Sequence, residues 1–370
     1  MKIVCSKSEL NAGLNIVSKA VPSKTTMSIL ECILIDCTGG NIKLIANDME
    51  FGIETIIPGT ILEKGVVAYD ANILVNLIRS LPDNDVTIET DADFNTSITC
   101  EKINFNKILS RSGEEFSYLP KVDMSNPVVI SKLTLKDVVR QTIFSISDNE
   151  ANKMMGGELF EIKGDNLRVV SLDGHRISIR NIKMKDAYNS IKVIIPGKTL
   201  NEISKIISGD DSDDVEIYFD KNHALFRFDD TTVVTRLIEG EYFKIDQMLS
   251  NDYETKMSVN KKELLSCISR ATLLIKEGDK KPVIINIKDD AVNLSINSVV
   301  GSMNESIDIS KEGKDLMIGF NPKFLIDALR VIDDETINIY LVNAKAPCFI
   351  RDDDNSYTYL VLPVNFTSAG

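Results

Sequence analysis

Asn260-Lys261-Lys262-Glu263-Leu264-Leu265-Ser266-Cys267-Ile268 is the stretch on which the reading of the fold turns. Asn260 supplies a capping oxygen, and Glu263, three positions on, is placed to reach back to the orphan donors of a helix start. Leu264, Ile268 and Ala271 then recur at helical spacing. The same phrase stands at Ser6-x-x-Glu9 before Leu10, Leu14 and Val17, and at Thr134-x-x-Asp137 around Leu135, Val138 and Val139. Successive starts lie roughly 125–130 residues apart, which suits one domain per copy.

Each phrase is followed by two alternating strands and a polar turn. Ile33-Leu34-Ile35-Asp36 and Ile42-Lys43-Leu44-Ile45 flank Gly39-Gly40-Asn41; Leu159-Phe160-Glu161-Ile162 and Leu167-Arg168-Val169-Val170 flank Gly164-Asp165-Asn166. Val283-Ile284-Ile285-Asn286-Ile287 and Val292-Asn293-Leu294-Ser295 flank Asp289-Asp290. Gly, Asn and Asp accept the positive φ that tight hairpins demand. A second helix is expected at 71–80, 199–208 and 322–331, then an acidic linker and the strands Val86-Thr87-Ile88, Val215-Glu216-Ile217 and Ile337-Asn338-Ile339. The fold class expected is α+β: three similar domains, 1–125, 126–254 and 255–370, each with two helices packed on antiparallel sheets.

Composition sets a tension against this regularity. The 370 residues carry 55 acidic and 42 basic side chains, a net charge of −13, which argues against gripping nucleic acid by bulk attraction. The helical windows run the other way. Lys19, Arg79, Lys136, Arg140, Lys198, Lys205, Lys261, Lys262, Arg270, Lys323 and Arg330 stand against fewer acids there: Glu9, Asp70, Asp137, Glu202, Glu263 and Asp327. Acids gather instead in linkers such as Asp210-Asp211-Ser212-Asp213-Asp214. Any one of these lysines reads as a solvated helix face; the set reads as a shared basic surface.

Chemistry is sparse. His175 and His223 are the two histidines, and His223 beside Asn222 reads as a turn residue. Asp352-Asp353-Asp354-Asn355 lacks the glycine and closing glutamate of a calcium loop, and no phosphate-binding glycine motif occurs. The six cysteines are scattered and read as reduced, buried thiols. Met1-Lys2-Ile3-Val4-Cys5 leads straight into patterned sequence, and no apolar run nears the roughly 18–20 residues of a membrane span, so a cytoplasmic protein is expected. No enzyme, cofactor or metal is expected.

Three further stretches carry a resemblance: Leu172-Asp173-Gly174-His175-Arg176-Ile177, Arg236-Leu237-Ile238-Glu239-Gly240-Glu241-Tyr242 and Tyr359-Leu360-Val361-Leu362-Pro363-Val364. With Lys24-Thr25-Thr26-Met27-Ser28-Ile29-Leu30-Glu31 in the first repeat, the whole chain resembles the bacterial DNA sliding clamp, the β subunit of the replicative DNA polymerase III. The resemblance implies a ring formed by a head-to-tail dimer, with basic helices towards encircled duplex DNA and sheets outside. It implies a processivity factor that tethers the replicative polymerase, the clamp loader and repair proteins through short peptide motifs. Lys24, Arg79, Lys136, Arg140, Lys198 and Lys205 would face DNA, and Ile108, Leu273 and Leu274 would form the dimer interface. The client-peptide cleft carried over by position comprises Met155, Leu172, Gly174, His175, Arg176, Ile177, Tyr242, Phe243, Met248, Asn321, Phe324, Pro347, Val361, Leu362, Pro363 and Val364.

The sequence departs from the family pattern at several points. Leu172 replaces a usual threonine, Phe243, Ser28 and Ser117 replace prolines, and Asn365 replaces a common arginine. Residues 367–370 look like an extra tail. By the residues alone, His175 and Arg176 read as a satisfied turn histidine and a surface arginine. The competing function is a DNA-independent repeat scaffold using the same cleft; an acidic-site hydrolase has less to support it.

Overall fold

The structure, a computed structural model, describes residues 1–147, 152–210, 212–276, 279, 281–352, 354 and 356–366. The tail at 367–370 and the linker acids Asp211 and Asp353 lie outside the described residues. Six α-helices occur among the described residues: α1 (Lys7–Val17), α2 (Ala71–Ser80), α3 (Lys132–Thr142), α4 (Gly197–Ile206), α5 (Lys261–Thr272) and α6 (Pro322–Val331).

The capping chemistry sets their starts. Ser6 Oγ accepts from the Glu9 amide at 3.3 Å, and Asn260 Oδ1 accepts from the amides of Lys262 and Glu263 at 3.0 and 3.1 Å. The middle copy corrects the sequence reading. Its cap is Ser131, whose hydroxyl accepts from the Thr134 amide at 3.1 Å, so Thr134 sits inside the first turn. Ser131 also ends the strand Val128–Ser131, which fixes where the chain can begin to coil. Helix α4 begins two residues ahead of the expected position; Gly197 enters against Ile146, where a Cβ would come within 2.4 Å of the Ile146 side chain. Leu264, Cys267, Ile268 and Ala271 form the buried stripe of α5. On α1, Gly13 lets the helix lie on the sheet, since a Cβ there would stand 2.6 Å from Ile57.

The three hairpins share one pairing scheme. In the first repeat, Cys32–Asp36 pairs with Val66–Asp70, and Ile42–Asn47 with Phe51–Ile57. In the third, Val283–Lys288 pairs with Leu316–Phe320, and Ala291–Asn297 with residues 302–308. In the second, the paired stretch Gly157–Leu172 shifts register on both sides of Gly164, and the partners fall into the same two sets: residues 157–162 with 191–196, and 166–172 with 177–183. Glu161 and Arg168 are 3.8 Å apart, whereas seven extended residues would span about 23 Å. The chain therefore folds back at Gly164-Asp165-Asn166, with Gly164 at φ +61°.

The described residues form two compact units, each with its own antiparallel sheet. The unit of Met1–Leu135 and Asn201–Leu237 holds a thirteen-stranded sheet; the unit of Lys136–Leu200 and Ile238–Gly370 holds a ten-stranded one. Three repeats yield two sheets because the middle repeat contributes strands to both. Its last strand, Thr231–Arg236, pairs with Phe51–Ile57 of the first repeat. Its residues 176–180 pair with the last strand of the third, Tyr357–Val361. In each joint the final strand of one repeat docks on the same strand of the repeat before it.

That rule leaves two edges over. Residues 103–109, the final strand of the first repeat, pair with Asn95–Cys100 on one side only. Residues 302–308, the docking strand of the third, pair with Ala291–Asn297 on one side only. Among the described residues neither has a second neighbour in its own sheet.

Candidate functional site

The site begins with a turn. Asp173 Oδ1 accepts from the amides of His175 and Arg176 at 2.9 and 3.2 Å, and Gly174 takes φ +88°, a conformation L side chains rarely adopt. The final segment is tied to it: the Leu362 amide donates to the His175 carbonyl at 2.8 Å, and the Val364 amide to the Gly319 carbonyl at 2.8 Å. Asn321 caps α6 through the Lys323 amide at 3.0 Å. Phe324, one turn along that helix, lies 6.0 Å from His175, ring to ring.

Below the turn, Leu172, Ile177 and Tyr242 are buried in one apolar cluster with Phe349 and Leu360, and Met155 and Phe243 pack on it half-buried. Tyr242 donates its hydroxyl to the Val170 carbonyl at 3.3 Å and meets Phe243 edge to face at 5.7 Å. Val361 is fully buried, Pro347 and Pro363 are half-buried, and Leu362, Val364 and Met248 are exposed. The structure thus brings the sequence-derived cleft residues into one unit, graded from a buried floor to an exposed apolar rim. The apolar area still exposed on these side chains offers about 25 cal/mol per Å² on burial by a partner.

Arg176 corrects the sequence reading of a surface arginine. It is only 6 % exposed, and its guanidinium bonds Asp173 at 2.9 Å, Asp327 at 2.8 Å and the Phe144 carbonyl at 2.6 Å. Sequence reading missed Asp327 and Phe144 because nothing local marks partners so distant along the chain.

The joint between the first and second repeats has the same frame with different chemistry. Asp48 Oδ1 accepts from the Glu50 and Phe51 amides at 3.1 and 2.7 Å, and the Arg236 amide donates to the Glu50 carbonyl at 2.8 Å. There Glu50 and Arg236 stand where His175 and Leu362 stand in the other joint, and their side chains pair at 3.6 Å. An ion pair faces solvent in one joint and an apolar rim in the other.

Of the expected DNA-facing residues, Lys24, Arg79, Lys136, Lys198 and Lys205 are exposed. Lys205 pairs with Glu202 at 2.7 Å. Arg140 is committed elsewhere: it bonds the Val331 carbonyl at 2.9 Å and the Asp333 carboxylate at 2.9 Å, closing the end of α6. At the open edges, Leu273 is 79 % exposed, whereas Ile108 and Leu274 are half-buried, Leu274 against the core of the third repeat. Leu109 at 77 % and Val299 at 81 % exposure carry no distinguishing mark in the sequence.

Comparison with known proteins decides the family. Three adjoining matches cover the chain: the N-terminal domain of the DNA polymerase III beta subunit at residues 1–120, its central domain at 129–244 and its C-terminal domain at 246–365. The chain belongs to the bacterial sliding clamps. The beta sliding clamp of Staphylococcus aureus is 33 % identical over 362 residues, 95 % of this chain and 96 % of that protein. The crystal structure of a DNA polymerase III beta subunit from Eubacterium rectale is 66 % identical, with a TM-score of 0.96 over 99 % of this chain and all of that one. The sliding clamp of Bacillus subtilis is 30 % identical, with a TM-score of 0.95 over 99 % of this chain. As a sliding clamp the chain is a processivity factor of DNA replication with a three-domain α+β fold. The DNA-independent scaffold is not favoured, and the family's role is non-catalytic. No helix among the described residues is long and apolar enough to cross a membrane.

Proposed function

We propose that this sliding clamp joins a second copy head to tail, residues 103–109 of each chain meeting 302–308 of the other, and so encircles duplex DNA. One observation carries this reading: a joint used twice within the chain leaves over one final strand and one docking strand, the two halves of a third such joint. A heterologous contact made twice closes a two-chain ring when its rotation permits, and closure removes both raw edges. Leu109, Leu273 and Val299 supply exposed apolar surface for it, with Ile108 and Leu274 behind. The domains are 1–125, 126–254 and 255–370, the later two opened by the strands Val128–Ser131 and Thr255–Asn260.

Lys24, Arg79, Lys136, Lys198 and Lys205 face the DNA backbone, which gives a sliding contact because phosphates carry no sequence information. The replicative polymerase, clamp loader and repair proteins dock extended peptides in the cleft between the Gly174-His175 turn, Met155, Met248, Phe324 and the 361–364 segment. Pockets supply specificity there and a few polar groups direction. The clamp works in the cytoplasm, without catalysis, cofactor or metal. The test is loading onto nicked circular DNA by the cognate clamp loader. The ring reading expects retention on the circle and release when the circle is cut; equal retention after linearisation would refute it.

A further inference from the structure

We infer that Arg176 is a positioning residue of the client cleft, acting through the turn and the helix that it ties together. The inference rests on the cleft reading above and deepens it. Arg176 lies between exposed Gly174 and His175 in sequence on one side and buried Ile177 on the other, yet its own side chain turns inward. The guanidinium carbon lies over the Phe324 ring at 4.5 Å from its centre and over the Phe144 ring at 5.5 Å. Its nitrogens meanwhile bond Asp173 on the turn, Asp327 on α6 and the Phe144 carbonyl beyond α3. Three elements of the cleft wall converge on one group.

The spacing on α6 explains the consequence. Phe324 and Asp327 are three residues apart, so they share one face of the helix. A group that stacks on the first and bonds the second fixes how that helix is turned relative to the Asp173-Gly174-His175 turn. Phe324 is in addition held by its neighbours, since its carbonyl accepts the Tyr359 hydroxyl at 2.9 Å. Only a planar, forked cation can stack on a ring and bond in its own plane at the same time; an ammonium provides a point charge alone. With its donors turned to Asp173, Asp327 and the Phe144 carbonyl, Arg176 sets how the touching rings of His175 and Phe324 are presented to a client residue.

The test compares the intact protein with Arg176→Lys and Asp327→Asn. Two extended apolar peptides serve as probes, one carrying an acidic residue and one with that residue as its amide. Loss of one charge-assisted bond predicts weakening of about tenfold, and positioning predicts the same factor for both peptides. Fluorine resonances of 4-fluorophenylalanine report the unliganded state: Phe324 and Phe144 should shift or broaden in Arg176→Lys, while Phe226, fully buried in the other unit, stays put. A dimeric mass in each variant separates this from unfolding. Weakening confined to the acidic peptide, unchanged affinity in Arg176→Lys, or an unmoved Phe324 resonance would overturn the inference while leaving the cleft standing. Failure of the unmodified protein to bind either peptide would overturn the cleft reading and this inference with it.

Discussion

The Leu362 amide donates to the His175 carbonyl at 2.8 Å, so the chain's last apolar segment leaves its sheet directly over the Gly174 turn. This bond sets both sides of the proposed cleft in one register: whatever moves the turn moves Leu362 with it.

The rim of that cleft gives the first prediction. Leu362→Ser with Val364→Ser lies beyond the paired strand Tyr357–Val361 and trims side chains that are 37 % and 36 % exposed. Truncating two such side chains predicts a fall in client-peptide affinity of about 10–100-fold with little change in thermal midpoint. Titration of a labelled polymerase peptide checks it; unchanged affinity would move the binding surface elsewhere.

For the ring joint, Leu109→Asp combined with Leu273→Asp should yield monomers at low micromolar concentration. Each leucine contributes roughly 1.5–3 kcal/mol when buried, and each introduced carboxylate must be desolvated. Ile108→Asp alone should act mainly on folding, because Ile108 is half-buried within its own sheet. Analytical ultracentrifugation distinguishes the two. A double variant that remains dimeric would place the joint on other residues.

Substituting alanine for Arg79, Lys136, Lys198 and Lys205 should flatten the salt dependence of direct duplex binding by about 0.9 log units for each phosphate that is no longer neutralised. Arg140→Ala should behave differently. It releases Asp333 and the Val331 carbonyl, so it should lower stability by about 1–2 kcal/mol. A salt slope in Arg140→Ala that falls as far as in the other variants would contradict this division.

Glu158 provides a pH signature. It is fully buried and neither carboxyl oxygen has a hydrogen-bond partner among the described residues. The Thr142 hydroxyl donates its proton to the Val138 carbonyl at 2.7 Å, so it has none to offer a Glu158 carboxylate. Burial holds this carboxyl neutral and pushes its pKa up to about 8, from 4.5 in the ordinary state. Folded protein therefore keeps a proton that unfolded chain has released. Stability should fall as pH rises from about 4.5 and level off above about 8, by at most roughly 1.4 kcal/mol per pH unit from this group. Glu158→Gln removes that slope, so its advantage over the unmodified protein grows between pH 6 and 8.5. Parallel urea curves for the two proteins across that range would show that Glu158 is not neutral.

Local patterns carry the repeat, the caps at Ser6 and Asn260, and the helices at 71–80 and 322–331, because each depends on residues within a turn or two of one another. The middle cap is ambiguous in sequence because Ser131 and Thr134 both offer a hydroxyl, and the end of a strand decides between them. Ile108 enters as an interface residue through the resemblance alone, and no local pattern marks Leu109 as the more exposed of the two. Register breaks between Thr96 and Ile98, with Lys107 at φ +58°, so an extra residue shifts which side chains point out. Arg176 reads as a surface residue because its partner Asp327 lies 151 positions away. Pairing across such a distance leaves no periodic trace.

Because the middle repeat pairs one strand with each neighbour and owns no separate sheet, the length of this chain is quantised. Insertion or loss of a single residue within Thr231–Arg236 or Tyr357–Val361 would turn every inward side chain of the joint outward. A whole extra repeat, by contrast, would arrive with a final strand for the repeat before it and a docking strand for the one after. Such a protein can vary freely at its turns, but it can grow or shrink only by modules.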